Sequence, residues 1–397
     1  MEREDMEAMR QREARRGLVR GCLLGSAIGD ALGYPIEFDS EETIRRTYGE
    51  GGIQAYEKDA RTGKALFSDD TQMTLFTANA ILYGQTRGCT RGIGGRPSIY
   101  IGTAYSEWYL TQTKSFREVM AKNAYRTCWL MEVPELYHRR APGTTCMMAI
   151  ENIIAGQPVE NHSKGCGGVM RVAPMGLIRV WNSMTIEDVD LEAGELAKVT
   201  HKHPLGYQSA AALAHIVHRS VFDRRGDSLK DIVLDAASFV AKLYADEQPF
   251  AEQQKALLEL AVSLSENDAP DIDNIHRLGE GWVGEEALAI AVYCALRHQN
   301  DFSACVIAAV NHKGDSDSTG AIAGNILGAW LGEEAIDEKW LTDLELRDVI
   351  LELADDLTDG CRIDEYSTDE DPLWTAKYIW ATHDLEKPKQ PNPWNWG

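Results

Sequence analysis

Three shortages in the sequence exclude whole classes of function. The eight cysteines, Cys22, Cys89, Cys128, Cys146, Cys166, Cys294, Cys305 and Cys361, form no CxxC pair. Scattered thiols inside apolar stretches behave as small hydrophobes, and they point to a reduced, cytoplasmic setting. No run reaches the 18 apolar residues of a membrane span. The first residues, MEREDMEAMRQREARRG, lack an apolar core, so no signal peptide is expected. Basic residues are also scarce, with 40 Lys and Arg against 62 Asp and Glu and a formal net charge of −22. Nucleic acid and anionic membranes both attract basic surfaces, so neither is expected as a main partner. An anionic ligand in a local pocket stays compatible with this balance.

Apolar residues are plentiful, at 44% of 397 positions, enough for one large core or two ordinary ones. Period-two alternation is scarce, whereas apolar residues recur at helical spacing. Helices are expected at 101–111, 115–122, 143–155, 187–199, 205–223, 228–244, 250–265, 284–298, 302–311, 318–331 and 345–358. The chain therefore reads as all-α, a single compact domain over 18–360. A charged arm, 1–17, precedes it, either as a solvated helix face or as a segment that docks on a partner. A Pro- and Trp-containing tail, 361–397, follows. Segment 40–66 reads as loop with short irregular pieces. So does 87–98, whose Gly92-Ile93-Gly94-Gly95 follows no predicted strand and is no phosphate fingerprint.

Gly21, Gly25, Gly29 and Gly33 recur every four residues. They line one helical face with hydrogen atoms, and such a face lets another backbone come close. Pro35 ends this helix, and Glu37 follows in the loop.

Two acidic clusters carry the chemistry. Ser68-Asp69-Asp70-Thr71 heads one apolar helix, and Asp315-Ser316-Asp317-Ser318-Thr319 heads another. Either cluster alone reads equally well as a helix cap or as a set of hard oxygen ligands. Two with the same pattern favour a binuclear site, because paired carboxylates repel unless a cation neutralises them. An EF-hand starting at Asp315 is excluded, since its twelfth position is Ile326 and not Glu. Asp315, Asp317 and Thr319 also match the DxDxT of aspartate-nucleophile phosphatases, a reading that requires a preceding strand in an α/β sheet.

Three further segments are candidates for ligand contact. In 161–177, Gly165, Gly167 and Gly168 let the backbone approach a ligand and cradle phosphate oxygens, with Lys164 and Arg171 adding positive charge. These glycines serve tight turns equally well. His201 and His203 precede a long apolar helix, and with no Cys or carboxylate to complete a set they are poor zinc candidates. Trp282 sits in a Gly-bracketed loop, where it either stacks on a base or covers the core.

Taken in order, GSAIGDALGYPIE, FSDDTQMTL, GCGGVMRVAPMGL, THKHPLGY and KGDSDSTGAIAGNILGAWLG resemble the blocks of the ADP-ribosylglycohydrolase family. The resemblance covers residues 18–332. It implies an all-α, orthogonally packed domain that holds two Mg²⁺ or Mn²⁺ ions. By resemblance the metal ligands are Ser68, Asp69, Asp70, Asp315, Asp317 and Ser318, with Asp317 the bridge and Glu37 a loop carboxylate nearby. Lys164, Gly165, Cys166, Gly167 and Gly168 match a diphosphate-binding loop. His201 matches a ligand-contacting histidine, and Trp282 falls where an apolar residue meets adenine. Glu37 or Asp70 would orient or deprotonate the attacking water. The implied activity is removal of ADP-ribose from a modified acceptor such as an ADP-ribosylated protein, with arginine the first choice and serine, other side chains or nucleic acid behind it. Its role would be reversal of a regulatory modification, or immunity against a toxin bound through the N-terminal arm. The alternative is a non-enzymatic member that keeps the fold as an ADP-ribose-binding or structural protein.

Overall fold

The computed structural model describes residues 2–92, 94–122, 124–179 and 184–387. Trp394 and Trp396 of the expected tail lie outside them. Among the described residues there is no sheet, only two isolated bridges, Ala65 to Leu344 and Gly165 to Val283. The expected all-α class holds, and the phosphatase reading, which needs a sheet, falls.

Six helices position the site: α1 (Glu2–Gly33), α2 (Asp69–Arg91), α3 (Pro204–Phe222), α4 (Gly284–Arg297), α5 (Ser316–Leu331) and α6 (Arg347–Asp359). The most extensive packing is between α1 and α5, and its cause is visible in the sequence. A Cβ built on Gly21, Gly25, Gly29 or Gly33 would meet the backbone of Gly328, Gly324, Gly320 or Ser316 respectively. The reciprocal contacts hold, because a Cβ on Gly324 would stand 1.9 Å from the Gly25 carbonyl oxygen. The two glycine stripes therefore run antiparallel at backbone contact, closer than ordinary side chains permit. This brings the start of α5, with its acidic cluster, beside the end of α1, where Asp30 and Glu37 sit.

The charged segment 2–17 and the small-residue segment 18–33 form one unbroken helix. Arg12 and Arg16 pair with Asp359, and Arg20 pairs with Asp355 and Glu333. Arg12, Arg16 and Arg20 thus bind the chain's own α6, and Arg20 also reaches the turn after α5. Segment 40–66 is mostly irregular, as expected, but contains a helix, Glu41–Tyr48, where the sequence predicts loop. It is capped by Ser40, whose hydroxyl accepts from the Thr43 N–H, and it buries Ile44 alone. Two apolar residues in two turns, Ile44 and Tyr48, give almost no periodic signal. Helix α2 runs on to Arg91, into the stretch read as loop from 87.

Candidate active site

The two acidic clusters start α2 and α5, and the chain brings them face to face. Ser318 Oγ donates to Asp70 Oδ2 at 2.8 Å. Each cluster also caps its own helix: Ser68 Oγ accepts from the Asp70 N–H at 3.1 Å, and Asp315 accepts from the Ser318 N–H at 3.3 Å. Cap and ligand are therefore not rival roles here, because one carboxylate oxygen can serve the helix while the other faces the cavity.

Asp30 organises the first cluster from behind. Its Oδ1 accepts from the Ser68 N–H at 2.8 Å, and its Oδ2 accepts from the Thr71 N–H at 2.9 Å and the Thr71 hydroxyl at 2.5 Å. Burial pushes this carboxyl up to about 6, with those hydrogen bonds acting against the rise. Sequence reading did not assign Asp30 a role. Its signal was a lone carboxylate inside an otherwise apolar, glycine-striped helix.

A cavity of about 210 Å³ opens between the clusters. Glu37, Asp69, Asp70, Gly165, Cys166, Gly167, His201, Trp282, Asp315, Asp317 and Ser318 all line it. Residues brought together from six separate stretches of sequence thus share one space. Ser68, Lys164 and Gly168 stand outside the lining. Ser68 is fully buried behind Asp70. The Lys164 ammonium pairs with Glu285, and the backbone of Gly168 lies against His201 and Ala197. Arg171, read as charge for the glycine loop, is fully buried beneath it.

Oxygens of Glu37, Asp315 and Asp317 lie within 4.8 Å of one another, and all three residues are buried. Burial pushes Asp69, Asp70 and Asp317 well above the usual carboxylate range, and the neighbouring carboxylates push them further. Burial and the charges of Asp315, Asp69 and Asp30 push Glu37 up to about 9. Glu37 Oε2 is buried and has no hydrogen-bond partner among the described residues. A buried, unpartnered carboxylate oxygen among other carboxylates is costly unless a cation answers it. The donor set is almost wholly hard oxygen, which fits Mg²⁺ or Mn²⁺. Soft sulfur enters the lining through Cys146, Met170 and Cys166, and the Cys166 Sγ lies 2.6 Å from Asp315 Oδ2. Burial and the charges of Asp315 and Asp70 raise its thiol far above normal, so it stays protonated.

The wall opposite the carboxylates is built from loops. Gly284 N–H donates to the Lys164 carbonyl at 2.7 Å, and Cys166 N–H donates to the Trp282 carbonyl at 3.2 Å. These bonds pin the glycine loop to the Trp282 loop and hold the indole over the cavity. Trp282 stacks on Phe38, with ring centroids 5.9 Å apart and an interplanar angle of 21°. Phe38 is 75% exposed. It follows Glu37 directly and was not singled out from sequence. On a third side, Arg140 makes a buried two-pronged pair with Glu345, at 3.0 and 3.1 Å. Its backbone carbonyl accepts from the Asp69 N–H at 3.0 Å. Ala141, next along, holds φ at +52° where it meets the cavity.

This helical frame and acidic cavity define a class. The ADP-ribosylglycohydrolase family model matches residues 11–366, and the chain belongs to that family. A solved structure of an ADP-ribosylglycohydrolase-related protein complex aligns with a TM-score of 0.61 at 25% identity, covering 87% of this chain and 99% of that one. An uncharacterized protein of Archaeoglobus fulgidus is 29% identical over 325 residues, 81% of this chain and 89% of that protein. Human ADP-ribosylhydrolase ARH3 is 28% identical over 207 residues. That match covers 46% of this chain and 54% of the human protein, about half its length. Family membership supports ADP-ribosyl hydrolase chemistry in general.

Proposed function

We propose that this chain removes ADP-ribose from a modified protein, with arginine the preferred acceptor, using two divalent cations held between α2 and α5. The observation that carries the reading is the meeting of Glu37, Asp69, Asp70, Asp315 and Asp317 in one cavity, with Glu37 Oε2 left unpartnered. Asp69, Asp70, Asp315, Asp317 and Ser318 would hold the cations, with Ser68 completing the first cluster. Bound Mg²⁺ or Mn²⁺ would supply charge neutralisation and polarise ribose hydroxyls.

The remaining work falls to the chain's own groups. With cations offsetting the charges that hold its own proton, Glu37 would take a proton from the attacking water, while Asp70 accepts the Ser318 hydroxyl. Positive charge grows on the ribose as the C1″ bond breaks, and the ring of carboxylates favours that state. Trp282 and Phe38 offer a flat apolar surface at the mouth for the adenine. A cationic guanidinium acceptor suits the approach to an acidic cavity on a chain of net charge −22.

The test is a release assay on proteins ADP-ribosylated on arginine or on serine, and on modified DNA, with and without chelator. Release from arginine that stops with chelator supports the proposal. Release from serine alone overturns the acceptor. No release from any substrate, with ADP-ribose still bound, favours the non-enzymatic reading.

A further inference from the structure

His201 sits against the glycine loop. A Cβ built on Gly165 would stand 3.3 Å from its Nε2, and one on Gly167 would stand 3.4 Å from the same atom. Nε2 therefore emerges between two residues without side chains, on the cavity wall, and has no hydrogen-bond partner among the described residues. Whether it donates or accepts there depends on the other ring nitrogen.

That nitrogen, Nδ1, lies 2.8 Å from Thr200 Oγ1. The same hydroxyl oxygen lies 2.5 Å from Arg171 Nη2. A guanidinium only donates, so Thr200 Oγ1 must accept from Arg171. Its single proton then goes to an acceptor. The choices at hand are the His201 Nδ1 lone pair and the Cys146 sulfur. The sulfur is the weaker acceptor and already receives Arg171 Nη1 at 3.3 Å.

We propose that Arg171 and Thr200 are positioning residues that lock His201 as the Nε2–H tautomer, an uncharged donor aimed at a phosphate oxygen of the bound ligand. The proposal rests on the reading that this cavity takes ADP-ribose. Burial, with Arg171 adding to it, lowers the imidazole to about 3, which keeps the ring neutral. Arg171 itself is fully buried, lies 4.5 Å from the Tyr105 ring centre, and has no carboxylate partner within salt-bridge distance among the described residues. Its charge therefore favours an anion on the far side of His201 without touching it. The Asn161 side-chain amide donates to the Thr200 carbonyl at 2.8 Å, which fixes the backbone of the relay.

The experiment uses the full chain labelled with ¹⁵N-histidine, and the His201 ring signals are assigned by their loss in His201→Gln. Long-range ¹H–¹⁵N correlation reads the tautomer, and calorimetric titration with ADP-ribose reads affinity. The wild type should show Nε2 protonated and Nδ1 bare between pH 5 and pH 8. Thr200→Val should release the lock, with Nδ1–H appearing, and weaken ADP-ribose at least tenfold. Thr200→Ser should restore both to within twofold. An Nδ1–H tautomer in the wild type overturns the proposal, and this holds even if Thr200→Val does not fold. A Thr200→Val protein with the wild-type tautomer overturns it too, and so does one whose tautomer changes without loss of affinity. A wild type that shows the predicted tautomer and ignores ADP-ribose instead overturns the functional reading and leaves the lock standing.

Discussion

Ser318 and Asp70 are 248 residues apart in sequence, yet the Ser318 hydroxyl donates to Asp70 Oδ2 at 2.8 Å across the cavity. That bond joins the first turns of two helices, and each turn carries carboxylates that repel those of the other. The repulsion is tolerable only if something positive, or protons, sits between them.

Removing the charge is the first consequence. Asp315→Ala or Asp69→Ala should lower hydrolysis at least about a hundredfold, the scale of losing one preorganised electrostatic group. Calorimetric titration with Mn²⁺ should show weakened or absent binding in the same variants. Full turnover with intact folding would refute the ligand assignment.

Proton and cation should compete in the folded protein. Glu37 is pushed up to about 9 in the fold, above its ordinary value of about 4.5. A carboxyl raised on folding contributes its full stability below the unfolded value and loses it as pH climbs through the folded one. Without divalent cation, the melting temperature should therefore fall between about pH 4.5 and pH 9. Asp69, Asp70 and Asp317 shift the same way and act together with it. Mg²⁺ or Mn²⁺ at a hundred times its dissociation constant should restore about 2.7 kcal/mol. A thermal melt series across pH, with and without cation, reads both effects.

The glycine stripes make a structural prediction. A Cβ on Gly29 would lie 2.0 Å from the Gly320 carbonyl oxygen, whereas one on Gly102, also inside a helix, meets nothing nearer than an Ile153 methyl at 3.8 Å. Gly29→Ala should destabilise by about 3 kcal/mol or prevent folding. Gly102→Ala should be neutral, or stabilising by up to about 1 kcal/mol. Urea denaturation of the two variants gives the comparison.

Arg140 holds Glu345 in a buried pair and presents the carbonyl that binds the Asp69 N–H. Arg140→Ala leaves a buried carboxylate alone and should cost about 3 to 5 kcal/mol. Replacing both partners with apolar residues, Arg140→Met with Glu345→Leu, should recover most of that loss. If the double variant is as unstable as the single one, the pair's role is not electrostatic.

Much of this was legible in the sequence, for physical reasons. Apolar spacing of three and four carried the helices. The stripe Gly21, Gly25, Gly29, Gly33 announced a backbone contact, and Gly320, Gly324, Gly328 repeat the same interval. Matching the two intervals would have paired α1 with α5. The acidic clusters carried their chemistry in residue type. What was not legible depends on contacts through space. Asp30 matters only because it faces Ser68 and Thr71. Phe38 matters only because the fold lays it on Trp282. Lys164 and Arg171 looked alike as charges beside a glycine loop. The fold pairs the first with Glu285 and buries the second behind Thr200.

The most direct measurement is the rate of ADP-ribose release from a protein ADP-ribosylated on arginine, followed by the purified chain with Mg²⁺, with chelator, and with chelator followed by excess Mg²⁺ or Mn²⁺. Cation-dependent hydrolysis at this site requires release with cation, loss with chelator, recovery on adding cation back, and none from Asp315→Ala under any condition. Release that persists undiminished in chelator, or in Asp315→Ala, would contradict it.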